Sequence, residues 1–379
     1  MQSVRKKMPV WALILIDILL LAVFLSVFCY YHHIREIWGI GIDPNVTEAP
    51  EMVFTRPPKK TAPNSSTLLT PVTDPLPGTD QPPATDNSGN PVTTEKIPEV
   101  TEPPLDTSGD FGARFANLFA QGENEVNRGE DYYQSHDVYI KVTAVDTKMD
   151  QLPKKGATQK TQTRVKYYLA DIYVRNIDNF FTSYSSGKNK SFNQLLSGTN
   201  ALFAINGDVF NTGAASKEII IRNGVPIRTK DYISSDICVL YWDGTMETIT
   251  PKEYNWEKIA AKNPYQAWSF GPELLNDDGS AKINISSNVW RLNPRAAIGY
   301  VEPGHYVLLV VDGNRDDTGD GGDGLNMDEM AKILSNAGCK QAYNLDGGAS
   351  VYGYYDGEML VSFEGERTIS DIICVGEVG

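Results

Sequence analysis

Three apolar segments of the sequence end in short polar side chains beside glycine, a combination that can bind and transform a charged ligand. These residues are Asn206, Gly207 and Asp208 in "INGD", Asp312 and Asn314 in "VDGN", and Asp346, Gly347, Gly348 and Ser350 in "NLDGGAS". Glycines at strand ends let a ligand approach the backbone closely, and their N–H groups bind anions. A neighbouring carboxylate can act as an acid, a base or a nucleophile. Each motif alone is typical of an ordinary turn, but together they predict a site.

One arginine and one glutamate extend this set. Arg295 in "NPRAAIGY" stands at the head of a predicted strand, and its planar guanidinium group suits phosphate oxygens. A structural ion pair is the alternative role for this arginine. Glu273 in "SFGPELL" follows a Gly-Pro turn, where it is either a second carboxylate of the site or part of a surface loop.

The acidic segment "DGNRDDTGDGGDG" resembles a calcium-binding loop in part. Asp312, Asn314 and Asp316 alternate as calcium ligands do. The sixth position is Asp317, where such a loop needs glycine, and the twelfth is Asp323, where it needs glutamate. The pattern therefore favours a solvated loop that needs no cofactor, with a structural calcium ion as the alternative.

Histidine, cysteine and overall charge exclude several classes of function. The chain has only four histidines, two of them at the end of the first apolar segment, which argues against a Ser-His-Asp or histidine-rich zinc mechanism. Cys238, Cys339 and Cys374 stand singly in apolar segments, so they are interpreted as small buried hydrophobic residues. The formal charge of −14, without a basic stripe, argues against a nucleic acid partner.

The elements that must position these residues are mostly strands. The clearest helix is "MDEMAKILSNAGC", where Met327 and Leu334 share one face. Asn326 and Glu329 form a capping-box pair before it, and Gly338 ends it. "FGARFANLFA" also has apolar residues at helical spacing. The sequence therefore predicts an α+β domain at residues 110–379, with a single mixed sheet and few helices.

The N-terminus predicts a membrane anchor. Residues 9–31 form an apolar segment long enough to span a bilayer, and Asp17 is its only charge. The basic residues before it predict that residues 1–8 are a cytoplasmic stub and that the rest of the chain is extracytoplasmic. A cleaved signal peptide is the alternative for this segment, and a pairing of Asp17 with a partner helix remains open.

A linker follows the predicted anchor. Residues 43–109 consist largely of Pro, Thr, Ser, Asp and Glu, with hardly an aromatic residue, so this segment cannot bury enough apolar surface to fold. It predicts a disordered tether that holds the domain away from a single-pass membrane helix. Its composition is typical of a bacterial spacer that crosses a cell wall.

Several motifs in the domain resemble those of a known family. "AINGDVFN", "RNG", "SFGPELL", "NPRAAIG", "VVDGN", "GLNMDEMAKIL", "AYNLDGGAS" and "RTISDIICV" occur in the order found in the phosphodiester glycosidase domain family. Bacterial relatives are often labelled exopolysaccharide biosynthesis proteins. The resemblance extends from about Tyr132 to Gly379. The family usually has Ser-x-Gly-x-Thr before its helix, where this chain has Gly322 to Asn326.

The resemblance implies a reaction and roles for the residues. The reaction is hydrolysis of a glycosyl-phosphate diester with release of the sugar. Asp346 and Asp208 are expected near the anomeric carbon, with Asn206 orienting the sugar or Asp208. Arg295 and the Gly347–Gly348 amides are expected to hold the phosphate, and Arg367 adds a second positive charge. Gly207 and Ser350 complete the predicted phosphate-binding set, and Glu273 completes the catalytic set.

These observations predict a membrane-anchored hydrolase that cleaves sugar-1-phosphodiesters in a cell-surface polymer or glycoconjugate. Two alternatives remain at this point. One is a non-catalytic protein that binds a wall glycan, and the other is an accessory protein of polysaccharide export. The sequence does not indicate an oligomeric state.

Overall fold

β-Strands make up most of the part of the chain that the structure describes. The structure is a computed structural model. It describes residues 109–152, 156–185, 187–209, 219–313, 323–361 and 367–377. The predicted anchor at residues 9–31 and almost all of the predicted linker lie outside these residues. Within them, no helix is long and apolar enough to cross a bilayer.

The described residues contain seventeen strands, three α-helices and two short 3₁₀ turns. The strands are β1 (Asn127–Arg128), β2 (Tyr132–Gln134), β3 (Val138–Gln151), β4 (Thr161–Val174), β5 (Phe180–Tyr184), β6 (Ala201–Asn206), β7 (Ile220–Arg222), β8 (Val225–Arg228), β9 (Ile237–Tyr241), β10 (Met246–Ile249), β11 (Pro264–Trp268), β12 (Arg295–Glu302), β13 (His305–Asp312), β14 (Gln341–Asn344), β15 (Gly353–Tyr355), β16 (Glu358–Val361) and β17 (Asp371–Gly376). The helices are α1 (Phe192–Leu196), α2 (Trp256–Ala261) and α3 (Met327–Asn336), and the 3₁₀ turns are Ile177–Asn179 and Gly348–Ser350.

The strands form three sheets. The first has the order β1-β2-β3-β4-β13-β12-β14, the second β10-β9-β11-β7-β8, and the third β16-β15-β6-β17-β5. Every strand pair among the described residues is antiparallel. The α+β prediction with few helices is confirmed, but the single mixed sheet is wrong. Short turns join strands such as β12 and β13. Two strands joined by a short turn pair in the antiparallel direction, which is why these strands do not form a mixed sheet.

The three sheets enclose one main core, and two smaller cores lie outside it. The main core joins residues such as Ile172 of the first sheet, Val239 of the second and Phe203 of the third, all fully buried. Helix α3 covers the opposite face of the first sheet, where Met330 and Leu334 pack on Val307 and its neighbours. Helix α1 packs against the outer face of the third sheet.

The local signals for α3 act as the sequence predicts. The Asn326 side chain accepts a hydrogen bond from the Glu329 amide at 3.0 Å, and the Glu329 carboxylate accepts one from the Asn326 amide at 3.0 Å. Gly338 follows the helix with a φ of 82°, a left-handed conformation that glycine adopts without strain. The three cysteines of the domain are buried and free, as predicted.

The aromatic segment before β1 differs from its helical spacing. Residues 112–118 form successive turns instead of a helix. Phe111, Phe115 and Phe119 nevertheless point into the main core, where each is less than 10% exposed. The spacing of the apolar residues therefore predicts which side chains are buried, but it does not predict the backbone conformation of the segment.

Two sheets place strand ends from distant parts of the chain side by side. β12 pairs with β14, with Ala297 opposite Asn344, so the start of β12 lies beside the end of β14. In the third sheet, β6 lies between β15 and β17, with Asn206 opposite Ile372. The ends of β6 and β14 meet at the edge where these sheets adjoin.

Candidate active site

The end of β6 is joined to the end of β14 by hydrogen bonds. The Asp346 amide donates to the Gly207 carbonyl at 3.2 Å. The Asn206 side chain donates to the Asp346 carbonyl at 2.7 Å and accepts from the Tyr352 amide at 3.2 Å. Asn206 is 1% exposed. It therefore holds the backbone around Asp346 and does not face a ligand.

A pocket of about 290 Å³ opens beside this junction. Its lining residues come from the loops before β12 and after β11, the turn after β14, and the segment before β17. They are Phe270, Val289, Arg291, Asn293, Arg295, Asp346, Gly347, Gly348, Ala349 and Arg367. Among the described residues, Asp346 is the only carboxylate in this lining, and it stands with three arginines.

The Asp346 carboxylate is mostly buried and incompletely hydrogen-bonded. Its Oδ1 atom accepts from the Gly347 amide at 2.8 Å, while Oδ2 accepts no hydrogen bond from any described residue. Burial raises its pKa, and the nearby Ser350 hydroxyl, the Gly347 amide and the charges of Arg367 and Arg295 oppose that rise. Ser350 Oγ is also buried without a hydrogen bond of normal geometry. Asp346 Oδ2 is therefore a buried acceptor atom without a partner among the described residues.

Arg295 forms the buried floor of the pocket. It is 2% exposed. Its Nε atom donates to the Leu325 carbonyl at 3.3 Å, and Nη2 donates to the carbonyls of Val289 and, at 2.5 Å, Arg291. Nη1 donates to no described residue and lies 3.4 Å from where a β-carbon on Gly347 would stand. Burial lowers the pKa of Arg295 to about 9, so the group remains positive at neutral pH.

The predicted phosphate-binding amides are already engaged. Gly347 donates its amide to Asp346 Oδ1, and Gly348 donates to the Pro294 carbonyl at 2.9 Å. The expectation that both N–H groups are free for an anion is therefore wrong in this structure, because the turn uses them itself. Gly348 has a φ of 63°, which explains the glycine there by backbone conformation.

Asp208 lies in a buried charge cluster and not in the pocket lining. Its Oδ2 atom accepts from the Ser269 amide at 2.6 Å and lies 3.6 Å from Arg222 Nη2, while Oδ1 accepts from the Val209 amide at 2.8 Å. Asp371 accepts from the Asp208 amide at 2.7 Å and from Arg222 Nε at 2.6 Å. All three charged side chains are fully buried.

This cluster contradicts the expectation that Asp208 faces the anomeric carbon. Both of its carboxylate oxygens are occupied, and no part of the side chain is exposed. Burial raises the pKa of Asp208 to about 7, although Arg222 opposes the rise. Burial also raises the pKa of Asp371. Two carboxylates therefore share one guanidinium group in the interior.

Gly207 serves the same cluster. A β-carbon at this position would stand 2.6 Å from Asp371 Oδ1, closer than real contacts allow. The Gly207 amide donates to the Asp371 carbonyl at 3.1 Å. The glycine of "INGD" thus leaves room for the Asp371 carboxylate, and it is not among the described residues that line the pocket beside Asp346.

Comparison with known proteins agrees with the sequence motifs. Residues 199–376 match the phosphodiester glycosidase family. The resemblance predicted from the motifs is confirmed for these residues, which include the pocket and the buried cluster.

One relative is an uncharacterized protein of Bacillus subtilis (strain 168), the SPbeta prophage-derived YomE. It is 23% identical over 269 residues, and the match covers 69% of this chain and 39% of YomE. This chain thus spans about two fifths of the length of that relative.

Two solved structures are similar. The catalytic domain of zebrafish N-acetylglucosamine-1-phosphodiester alpha-N-acetylglucosaminidase, auto-inhibited by its pro-peptide, has a TM-score of 0.49 and 20% identity. That alignment covers 67% of this chain and 88% of the zebrafish chain. A hypothetical protein from Synechocystis has a TM-score of 0.41 and 13% identity, with 66% of this chain and 75% of that chain covered.

Of the two other predicted residues, Glu273 lies apart from the pocket and Arg367 lines it. Glu273 pairs with Lys282, accepts from Thr248 Oγ1 at 2.9 Å, and lines a separate pocket. The structure therefore does not bring it together with Asp346, because its side chain is used by an ion pair. Arg367 does line the pocket, and its side chain is exposed.

The predicted calcium ligands are described only in part. Asp312 lies 3.4 Å from Lys166 Nζ and accepts from the Gly313 amide at 2.9 Å. Asn314 and Asp316 lie outside the described residues. Among the residues that are described, no cluster of three or more His, Cys, Asp or Glu side chains is arranged to hold a metal ion. The calcium alternative stays a prediction.

Sequence reasoning missed three charged residues of the site region. Arg222 and Asp371 are isolated charges in the apolar segments "IIIRNG" and "SDIICV", and a lone charge in a buried strand requires a buried partner. The isolated charges in these two apolar segments were therefore a signal from which Arg222 and Asp371 could have been predicted to be a buried pair. Arg291 stands in "NVWRLNP", where no local pattern distinguishes it. Only the route of the loop brings it into the pocket.

Proposed function

We propose that this protein is a hydrolase that cleaves the bond between a sugar's anomeric carbon and the phosphate of a sugar-1-phosphodiester. The observation that carries the proposal is the pocket, where one incompletely hydrogen-bonded carboxylate faces three arginines. The family match over residues 199–376 supports a glycosidase activity of this type.

The charges in the pocket suit the two halves of such a substrate. Cleavage gives the sugar oxocarbenium character, and a carboxylate beside the anomeric carbon stabilises that positive charge. The phosphate carries the electron pair away as a monoester, and guanidinium groups stabilise the developing negative charge. Water then supplies a hydroxyl group to the anomeric carbon and releases a proton to solvent or to the departing phosphate.

Named residues take these roles in the proposal. Asp346, the carboxylate of the pocket lining, stands beside the anomeric carbon. Arg295 binds the scissile phosphate through Nη1 at the pocket floor. Asn206 positions Asp346 through its backbone, and Ser350 faces the carboxylate. Asp208 supports this arrangement from the interior, through the Arg222 and Asp371 cluster.

The cellular setting is also a proposal. The apolar segment at residues 9–31 and the linker after it support a domain held outside the membrane, where phosphodiester-linked glycans of the cell surface are its substrates. The zebrafish enzyme is named for an N-acetylglucosamine-1-phosphodiester. That compound class is the first to test here.

The test replaces Asp346 by asparagine, which keeps the size of the side chain and removes its charge. We expect Asp346→Asn to lower the release of N-acetylglucosamine from its methyl 1-phosphodiester by roughly 10³-fold or more, measured by mass spectrometry. The matched control is Asp146→Asn, which neutralises an exposed aspartate paired with Arg164. It should keep wild-type activity. Retention of more than about a tenth of the activity in folded Asp346→Asn would overturn the proposed role.

A further inference from the structure

The pocket carries more positive charge than one phosphodiester can neutralise. Arg291, Arg295 and Arg367 face Asp346, so the lining has a net charge of about +2 in a chain whose formal charge is −14. Within the described part of the chain, no carboxylate forms an ion pair with any of the three arginines. Among the described residues, the surplus is therefore local and is not balanced by a paired carboxylate.

The three arginines occupy different depths. Arg295 is 2% exposed, Arg291 is partly buried, and Arg367 is exposed at the rim. Arg291 is close enough for its charge to lower the pKa of Arg295 further, after the larger effect of burial. Like charges at this range repel, and a bound anion relieves that repulsion. The pocket thus has one deep anion position and positive charge that continues outward.

The volume of the pocket limits what it encloses. About 290 Å³ lies just below the range for small-molecule sites, which begins at about 300 Å³. A sugar with its scissile phosphate occupies most of such a space. Anything attached beyond that phosphate therefore extends past the rim, where Arg367 is exposed.

We propose that the substrate carries a second phosphate group next to the scissile one, as in a glycan whose sugars are joined by repeated phosphodiesters. Arg295 holds the scissile phosphate, and Arg291 and Arg367 hold the neighbouring phosphate at the rim. This inference rests on the proposed function and names the substrate class of the same site.

The experiment compares two substrates that differ only in the second phosphate. The first is N-acetylglucosamine-1-phosphate joined to O6 of methyl N-acetylglucosaminide, which has one phosphate. The second is the same compound with a methyl phosphate in place of the methyl group at the anomeric oxygen of the second sugar, so it has two phosphates. Binding to the full-length Asp346→Asn protein is measured by calorimetry, and cleavage by the wild type is measured by mass spectrometry. We expect the two-phosphate compound to bind about tenfold more tightly at low salt, as for added hydrogen bonds to charged groups.

Variants that each remove one arginine charge test which residues cause the preference for the two-phosphate compound. Arg291→Gln and Arg367→Gln, each combined with Asp346→Asn, should reduce the tenfold preference to about threefold or less. In the wild-type background, the same changes should raise KM for the two-phosphate compound more than they lower kcat. Arg164→Gln is the matched control, because it removes an exposed arginine that pairs with Asp146 elsewhere on the first sheet. It should leave the preference unchanged. High salt should weaken the preference, since it screens exposed charges.

The outcomes separate this inference from the proposed function. Equal binding of both compounds, or a preference that survives in both arginine variants, overturns the second-phosphate inference even if both compounds are cleaved. Preferential binding without any cleavage by the wild type overturns the proposed hydrolysis and supports the charge assignment. Absence of binding by either compound overturns the second-phosphate inference.

Discussion

Asp346 and Asp208 follow strands in similar motifs, yet the fold gives them opposite environments. Asp346 lines the pocket and has one carboxylate oxygen without a partner. Asp208 is fully buried, with amides on both oxygens and Arg222 at 3.6 Å. Environment, and not residue type, therefore decides which carboxylate can meet a substrate.

The buried cluster predicts how stability changes with pH. Because folding raises the pKa of Asp208 from 3.8 to about 7, the folded state holds a proton that the unfolded state has released between these values. The contribution of this group to the free energy of unfolding is therefore greatest below about pH 4 and is lost as the pH rises towards 7. A rise of this size corresponds to about 4 kcal/mol as an upper limit.

Urea unfolding between about pH 5 and pH 8 measures this effect. We expect the free energy of unfolding of the wild type to fall across this range. In Asp208→Asn the fall should be about 2 to 3 kcal/mol smaller, because asparagine does not titrate. The raised pKa of Asp371 keeps part of the pH dependence in the variant. An identical pH slope in both proteins would show that Asp208 is ionised throughout.

At the scale of elements, Asn206 connects two sheets at the site. Among the described residues, only the Asn206 side chain donates a hydrogen bond to the Asp346 carbonyl. The same side chain accepts a hydrogen bond from the Tyr352 amide. These two bonds fix the turn after β14 against the end of β6. The turn therefore takes its position from a strand that is about 140 residues away in the chain.

Removing this connection should affect stability and activity together. Asn206→Ala leaves a buried carbonyl and a buried amide unpaired, so we expect a loss of about 2 to 4 kcal/mol in the free energy of unfolding. We also expect kcat to fall more than KM rises, because the carboxylate moves while the arginines stay. Urea unfolding and steady-state kinetics measure the two effects.

The control for this substitution is an asparagine of an exposed turn. Asn276 bonds to Ser280, and Asn276→Ala should change the free energy of unfolding by less than about 1 kcal/mol. If Asn206→Ala behaves like Asn276→Ala, the link between β6 and the turn has no energetic importance.

The sequence predicted the elements of the site better than its contacts. Glycine and short polar residues mark the ends of β6 and β14 because turns and close backbone approach require them. The partners of Asp208 are not visible in this way, since Arg222 and Asp371 lie 149 residues apart and meet only through sheet packing. Arg291 was missed because only the route of its loop brings it into the pocket. The engaged amides of Gly347 and Gly348 depend on turn geometry, which the letters "DGG" do not specify.

At the scale of the whole molecule, the described residues begin just before the aromatic segment, which belongs to the fold. Phe111, Phe115 and Phe119 are buried in the core that the three sheets share. The backbone of this segment is tied to the domain as well, because the Phe111 amide donates to the Arg175 carbonyl at 2.6 Å. The segment is therefore part of the fold.

Two truncations test this boundary. Removal of residues 1–108 keeps every described contact, so we expect a Tm within about 2 °C of the full chain and unchanged kcat/KM on a soluble phosphodiester. Removal of residues 1–120 also deletes the three phenylalanines, each of which contributes about 1.5 to 3 kcal/mol when buried. We expect this shorter protein to unfold or aggregate, as followed by calorimetry and light scattering.

The single substitution Phe119→Ala tests the same packing without a new terminus, and it is expected to lower the free energy of unfolding by about 3 to 5 kcal/mol. If both truncated proteins are equally stable, the aromatic segment does not belong to the core, and if the longer one already fails to fold, residues 1–108 contribute to the domain.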